Sequence, residues 1–140
     1  MNQTTQNTTV ILLAAGHGKR MQPLTNTTPK PLLKVGEYSL IEHHLRAIAK
    51  SGFKEVVINT AYLGHQIQAK IGNGEQFGLH INYSDESSTG ALETAGGIKK
   101  ALPLIKSNAF LSINADVWTD FDFTKMLTPL NKKGRIALVP

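Results

Sequence analysis

A chain of 140 residues, 41% of them apolar, is long enough for one domain with a real core, and it has no apolar run near the roughly 20 residues that cross a bilayer. Its net charge of +5 is not gathered into Lys/Arg runs interleaved with aromatics, which argues against a nucleic-acid surface. With no cysteine there is neither a disulfide framework nor a thiolate metal site, and the expected compartment is the reducing cytoplasm.

The first nine residues, MNQTTQNTT, are polar and uncharged and lack the basic and apolar regions of a signal peptide. They are expected to form a tail ahead of a single domain over residues 10–140. Short apolar or β-branched runs predict strands at VILLA from Val10, EVVIN from Glu55, HINYS from His80, FLSIN from Phe110 and RIALV from Arg135. From Ser39 to Lys50, Ile41, Leu45 and Ile48 share one helical face, Ser39 and Glu42 form a capping box, and Gly52 lies just past the end. Leu63, Ile67 and Ile71 recur at four-residue spacing before Gly72 and Gly74, and ETAGGIKKAL offers a third helix weakened by its glycines. Strands alternating with helices predict an α/β fold, an open and mostly parallel Rossmann-like sheet with helices on both faces. RIALVP at the end reads as the start or middle of a strand with no closing helix, so the chain is expected to be a piece of a longer domain.

The stretch LLAAGHGKRMQPLTNTTPKPLL, residues 12–33, contains no acidic residue. Lys19, Arg20, Lys30 and Lys34 all precede the first carboxylate, Glu37. Gly16 and Gly18 follow the first strand, and in an open α/β sheet ligands bind beyond the carboxyl ends of strands. Glycines there let successive N–H groups approach phosphate oxygens, although an ordinary strand-exit turn explains two glycines equally well. A dinucleotide fingerprint fails because Met21 stands where its third glycine belongs. A P-loop fails because Arg20 follows Gly18-Lys19 and Leu13 occupies the earlier glycine position.

From Leu13 to Pro31 the sequence closely resembles the signature of the sugar-1-phosphate nucleotidyltransferases, L-x-x-G-x-G-T-R-[LM]-x-P-L-T followed by P-K-P, with Lys19 in place of the frequent Thr. Resemblance extends over the rest of the chain. NTAYLGHQI, FGLHINYSDE, ALETAGGIKKALPLI and NADVWTDFDF are similar to the subgroup that transfers uridylyl to N-acetylmuramic acid 1-phosphate. That resemblance implies a cytoplasmic enzyme of peptidoglycan recycling that makes UDP-N-acetylmuramic acid and pyrophosphate from UTP and the sugar 1-phosphate. It also implies that residues 10–140 are the nucleotide-binding part, with the C-terminal sugar-binding part absent. Two alternatives stay open: an enzyme using GTP and mannose 1-phosphate, because the signature does not choose the base, and a non-catalytic nucleotide-binding module.

The resemblance also implies roles residue by residue. Ala15, Gly16, Gly18, Lys19 and Arg20 would wrap the triphosphate, with Arg20 offsetting charge on the departing pyrophosphate through its planar fork. Lys30, expected on a stiff extended backbone between Pro29 and Pro31, would approach the reacting phosphates as a second catalytic cation. Asp116, at a strand tip, matches the aspartate that holds Mg²⁺, and Asn114 matches a neighbouring Asn that contacts substrate. Glu93, Thr94 and Gly96 fall in a loop that contacts base and sugar; Glu93 replaces a usual Gly, as in the muramate subgroup. Ala115 stands where N-G-D is usual and would be strained if that position required positive φ. Lys34 and Lys19 read as solvated or secondary contacts, Asp120 and Asp122 as turn chemistry, and His43 and His44 as packed or exposed helix residues. His17 occupies a variable loop position, and Trp118 is expected to pack near the sheet's end.

Overall fold

The structure, a computed structural model, describes residues 5, 7–90, 92–120, 122–123 and 137–139. Val10, Ile11 and Leu12 are fully buried, so consecutive residues of β1 (Thr8–Leu13) are covered on both faces, as in a central parallel strand. β2 (Lys34–Val35) and β3 (Tyr38–Ser39) form a separate two-residue hairpin. The remaining strands are β4 (Glu55–Thr60), β5 (His80–Asp85), β6 (Ala109–Asn114) and β7 (Ala137–Val139). They join β1 in a sheet of order β5-β4-β1-β6-β7, in which every pairing is parallel.

Register assigns the faces. Val10 lies beside Val56 and Leu111, and Leu12 beside Ile58 and Ile113. These side chains pack with Ile41, Leu45 and Ile48 of α1 (Leu40–Lys50) and Ile67 and Ile71 of α2 (Gly64–Ile71). The alternate residues Ile11, Val57 and Ser112 share the other face. There α3 (Thr94–Ala101) packs against β1, β4 and β5, with Ala101 fully buried. Helices therefore cover both faces, as the alternation of elements predicts.

Helix α1 starts where the sequence says it should. The Glu42 N–H donates to Ser39 Oγ at 3.3 Å, and the Ser39 hydroxyl donates to Glu42 Oε1 at 3.1 Å. Gly52 beyond the end has φ +95°.

Three local expectations shift. β1 begins at Thr8 rather than Val10: both threonines are β-branched and buried, and Thr9 Oγ1 lies 2.6 Å from Ser107 Oγ, so polarity there does not mark a tail. Trp118 is 54% exposed and does not pack at the sheet's end. Of the final expected strand, Arg135 and Ile136 lie outside the described residues, while Ala137–Val139 pairs with β6. No described helix is long and apolar enough to cross a membrane.

Candidate functional site

The strand order reverses direction between β1 and β6, because the chain passes from β1 to β4 on one side and later returns to β6 on the other. Such a switch point opens a crevice at the carboxyl ends of the two strands. A cleft of about 480 Å³ lies there.

Its floor is the loop after β1, with Ala15, Gly16 and Gly18 among the lining residues. Among the described residues none accepts a hydrogen bond from the N–H groups of Ala15, Gly16 or His17, a row of donors suited to an anion. A Cβ on Gly16 would meet nothing within 4 Å, so the space above it is open for a close ligand. Gly18 is fixed differently. Its φ is +71°, and a Cβ would fall 2.9 Å from Thr25 Cγ2 and 3.3 Å from Lys30 Cβ. Its carbonyl accepts from the Thr25 hydroxyl at 2.7 Å, tying the glycine loop to the segment that carries Lys30. Gly18→Ala is expected to destabilise the fold by about 1–3 kcal/mol through left-handed strain and this clash. Urea unfolding of the variant, with an unchanged midpoint as the contrary result, checks it.

Lys30 extends into the cleft and places Nζ 3.3 Å from Asp116 Oδ2. Asp116 follows the end of β6, so residues 86 apart in sequence meet at the crevice. The pair is partly open to solvent, with side-chain exposures of 29% and 41%. Lys30 is not on an extended backbone as its flanking prolines imply. It opens a 3-10 turn, Lys30–Leu32, in which the Leu33 N–H donates to Lys30 O at 3.0 Å. Pro29 is extended, and Pro31 sits inside the first turn, where its missing N–H costs nothing.

Asn114 also lines the cleft, and Ala115 beside it is strain-free in sign: among the described residues Leu63 is the one non-glycine with positive φ. The Ala115 N–H donates to Leu13 O at 3.0 Å, continuing the sheet under Asp116. The opposite wall is the N-terminus of α3, with Glu93, Thr94 and Ala95. Unpaired N–H groups at a helix start favour negative charge.

Other expected site residues lie elsewhere. Lys19 and Arg20 occupy an exposed 3-10 turn, Lys19–Met21, and do not line the cleft. Gly96 does not line it either; a Cβ there would approach Leu92 Cβ at 3.2 Å, so its smallness serves packing. Asn59 was not singled out by sequence, yet it lines the cleft and accepts from the Ala14 N–H through Oδ1 at 2.6 Å. The signal was the parallel register that sets Asn59 beside Leu13.

Two histidines support the site from outside. His17 stacks on Tyr62 at 3.8 Å between ring centroids, and the Tyr62 hydroxyl donates to Thr25 O at 2.9 Å. His44 is buried and holds the Val117 carbonyl at 2.7 Å, so its Nε2 carries the proton. Burial pushes the His44 imidazole below its ordinary value of 6.5, against the pull of that carbonyl. The unfolded chain therefore takes up this proton first, and the stability conferred by neutral His44 is complete above pH 6.5 and lost as pH falls through the folded value. The urea midpoint is expected to decline on acidification from about pH 6.5, and less steeply in His44→Gln. Equal slopes in the two proteins would contradict it.

An all-parallel sheet covered by helices on both faces, with a glycine loop and Asp116 lining one cleft at its switch point, defines an open α/β domain of the Rossmann-like kind. The sequence profile of the Nucleotidyl transferase family matches residues 9–139, and the chain belongs to that family. It is 54% identical over 114 residues to the N-acetylmuramate alpha-1-phosphate uridylyltransferase of Neisseria meningitidis serogroup B, covering 81% of this chain and 49% of that protein. Against a mannose-1-phosphate guanylyltransferase of Mycobacterium tuberculosis it is 31% identical over 123 residues, covering 88% of this chain and 34% of that one. The fold is shared with HddC from Yersinia pseudotuberculosis complexed with GMP-PN, at a TM-score of 0.74 and 22% identity over 85% of this chain and 52% of that one. The chain thus spans about half the length of the first relative and about a third of the second.

Proposed function

We propose that this chain is the nucleotide-binding part of an enzyme that transfers UMP from UTP to N-acetylmuramic acid 1-phosphate, yielding UDP-N-acetylmuramic acid and pyrophosphate. The observation that carries the reaction class is the 3.3 Å approach of Lys30 Nζ to Asp116 Oδ2 in the cleft that Gly16 and Gly18 also line. The choice of base and sugar rests on the 54% identity to the uridylyltransferase against 31% to the guanylyltransferase.

A phosphate oxygen of the sugar 1-phosphate attacks the α-phosphorus of UTP, the α–β phosphoanhydride bond breaks, and its electron pair leaves with pyrophosphate. The nucleophile is already an anion, so the protein has to position the reactants and oppose the growing charge rather than remove a proton. The N–H groups from Ala15 to Gly18 receive the phosphate oxygens. Lys30 exchanges its carboxylate partner for those oxygens when nucleotide enters. Arg20, on the exposed turn that follows Gly18, opposes charge on the leaving pyrophosphate, with Lys19 beside it as a secondary contact. Asn114 serves the sugar phosphate, while Glu93 and Thr94, at the start of α3, serve base and sugar.

The donor set fits Mg²⁺. Among the described residues no group of three or more His, Cys, Asp or Glu could enclose a metal. Asp116 stands with one oxygen on Lys30 and 41% of its side chain open, so it could supply one carboxylate to such an ion, with a second protein ligand expected from a later strand beyond residue 140. When bound, Mg²⁺ would neutralise triphosphate charge, with Asp116 as its holder. Cytoplasmic location and a place in peptidoglycan recycling follow from the same reading.

Thermal unfolding with UTP, GTP, CTP and dTTP tests it. UTP with Mg²⁺ is expected to give the largest rise in midpoint, corresponding to about 2.7 kcal/mol at one hundred times the dissociation constant. A larger rise with GTP would move the reading to a guanylyltransferase, and no rise with any nucleotide would overturn it.

A further inference from the structure

Two loops at the carboxyl end of the sheet, the one after β1 and the one between β5 and α3, are joined through Asn59 of β4 by hydrogen bonds that permit one polarity. The Ala14 N–H donates to Asn59 Oδ1 at 2.6 Å, Asn59 Nδ2 donates to Glu86 Oε2 at 2.8 Å, and the Leu92 N–H donates to Glu86 Oε1 at 2.7 Å. Asn59 and Glu86 are buried, the latter completely. Backbone N–H groups at both ends can only donate. Asn59 must therefore turn its oxygen to Ala14 and its nitrogen to Glu86, and residue 86 must accept at both oxygens. A carboxylate does so; a glutamine, with one acceptor and one donor group, does not.

The middle of α3 is cut to fit this chain of bonds. A Cβ on Gly97 would lie 2.7 Å from Asn59 Nδ2 and 3.2 Å from Glu86 Oε2, which accounts for a glycine inside a helix.

We propose that Asn59 and Glu86 are positioning residues that lock the glycine loop, through Ala14, to the Leu92–Thr94 wall across the cleft. The relay fixes the separation of the two segments that face the nucleotide, and in that respect it rests on the nucleotide reading of the cleft. Neither residue needs to touch the reacting atoms.

The polarity gives the test. Glu86→Gln sets donor against donor at Leu92 or at Asn59, and flipping Asn59 only moves the mismatch to Ala14. Asn59→Asp alone brings two carboxylates together. Asn59→Asp combined with Glu86→Gln restores every pairing, since the introduced aspartate accepts from both Ala14 and the introduced glutamine, whose oxygen accepts from Leu92. Amide hydrogen exchange at Ala14 and Leu92 and UTP affinity are measured in wild type, both single variants and the double variant. Each single variant is expected to lose roughly tenfold in amide protection and in UTP affinity, with both recovered in the double variant. Wild-type behaviour of Glu86→Gln, or a double variant no better than the singles, would overturn the relay. If the wild-type chain binds no UTP, the nucleotide reading fails by itself, and the exchange pattern still decides the relay.

Discussion

In the full-length enzyme proposed above, Asp116→Ala is expected to lower uridylyl transfer about a thousandfold, while the thermal stability of this chain stays nearly unchanged. The two outcomes separate because of where the carboxylate sits. Its ion pair with Lys30 is partly solvated on both sides, at 29% and 41% exposure, and such pairs contribute about 0–1 kcal/mol. Breaking it leaves Lys30 a cation with access to water rather than a buried orphan. The backbone under residue 116 is held independently, by the Ala115 N–H to Leu13 O bond and the β1–β6 ladder. The expected loss therefore reflects the missing metal holder, and the stabilisation by UTP should no longer depend on Mg²⁺. A collapse of the thermal midpoint with activity lost in proportion would assign Asp116 to the fold instead.

In the same full-length enzyme, Lys30→Ala is expected to cost about a hundredfold in transfer, with an opposite signature toward the metal. In the free protein Lys30 competes for Asp116 Oδ2 at 3.3 Å, so its removal should strengthen Mg²⁺ binding to the nucleotide-free chain. Transfer nevertheless falls, because the positive charge is no longer available where the phosphates carry growing negative charge. Mg²⁺ titration of the free variant, alongside steady-state kinetics, reads both effects. Weaker Mg²⁺ binding after Lys30→Ala would contradict the competition.

The sheet and its helices were legible because each buried segment repeats a local signal. Val10 to Leu12 and Val56 to Ile58 are continuous apolar runs, and Ile41, Leu45 and Ile48 keep helical spacing. Thr8 and Thr9 were misread as tail because their hydroxyls look solvated, whereas burial here is compatible with the Thr9–Ser107 contact. The hairpin of β2 and β3 was missed since two pairs of residues around Gly36, with exposed Lys34 and Val35, carry no alternation. At the site, Gly16, Gly18, Lys30 and Asp116 were legible as a motif, and the fold brings them to one cleft. Asn59 and Glu86 were not, because a single polar residue at a strand end acquires meaning only when the parallel register sets it beside the neighbouring loop. Trp118 illustrates the converse: size alone predicts burial, but nothing among the described residues covers most of its ring.

Convergence of the glycine loop, Lys30 and Asp116 on one nucleoside triphosphate is tested most directly by following backbone amide resonances of this chain during titration with UTP, with and without Mg²⁺. The amides of Gly16, His17 and Gly18 are expected to shift together with that of Asp116, along one saturation curve, with Asp116 responding fully only when Mg²⁺ is present. Shifts confined to the loop while Asp116 stays still, or separate saturation of the two, would contradict a single shared ligand.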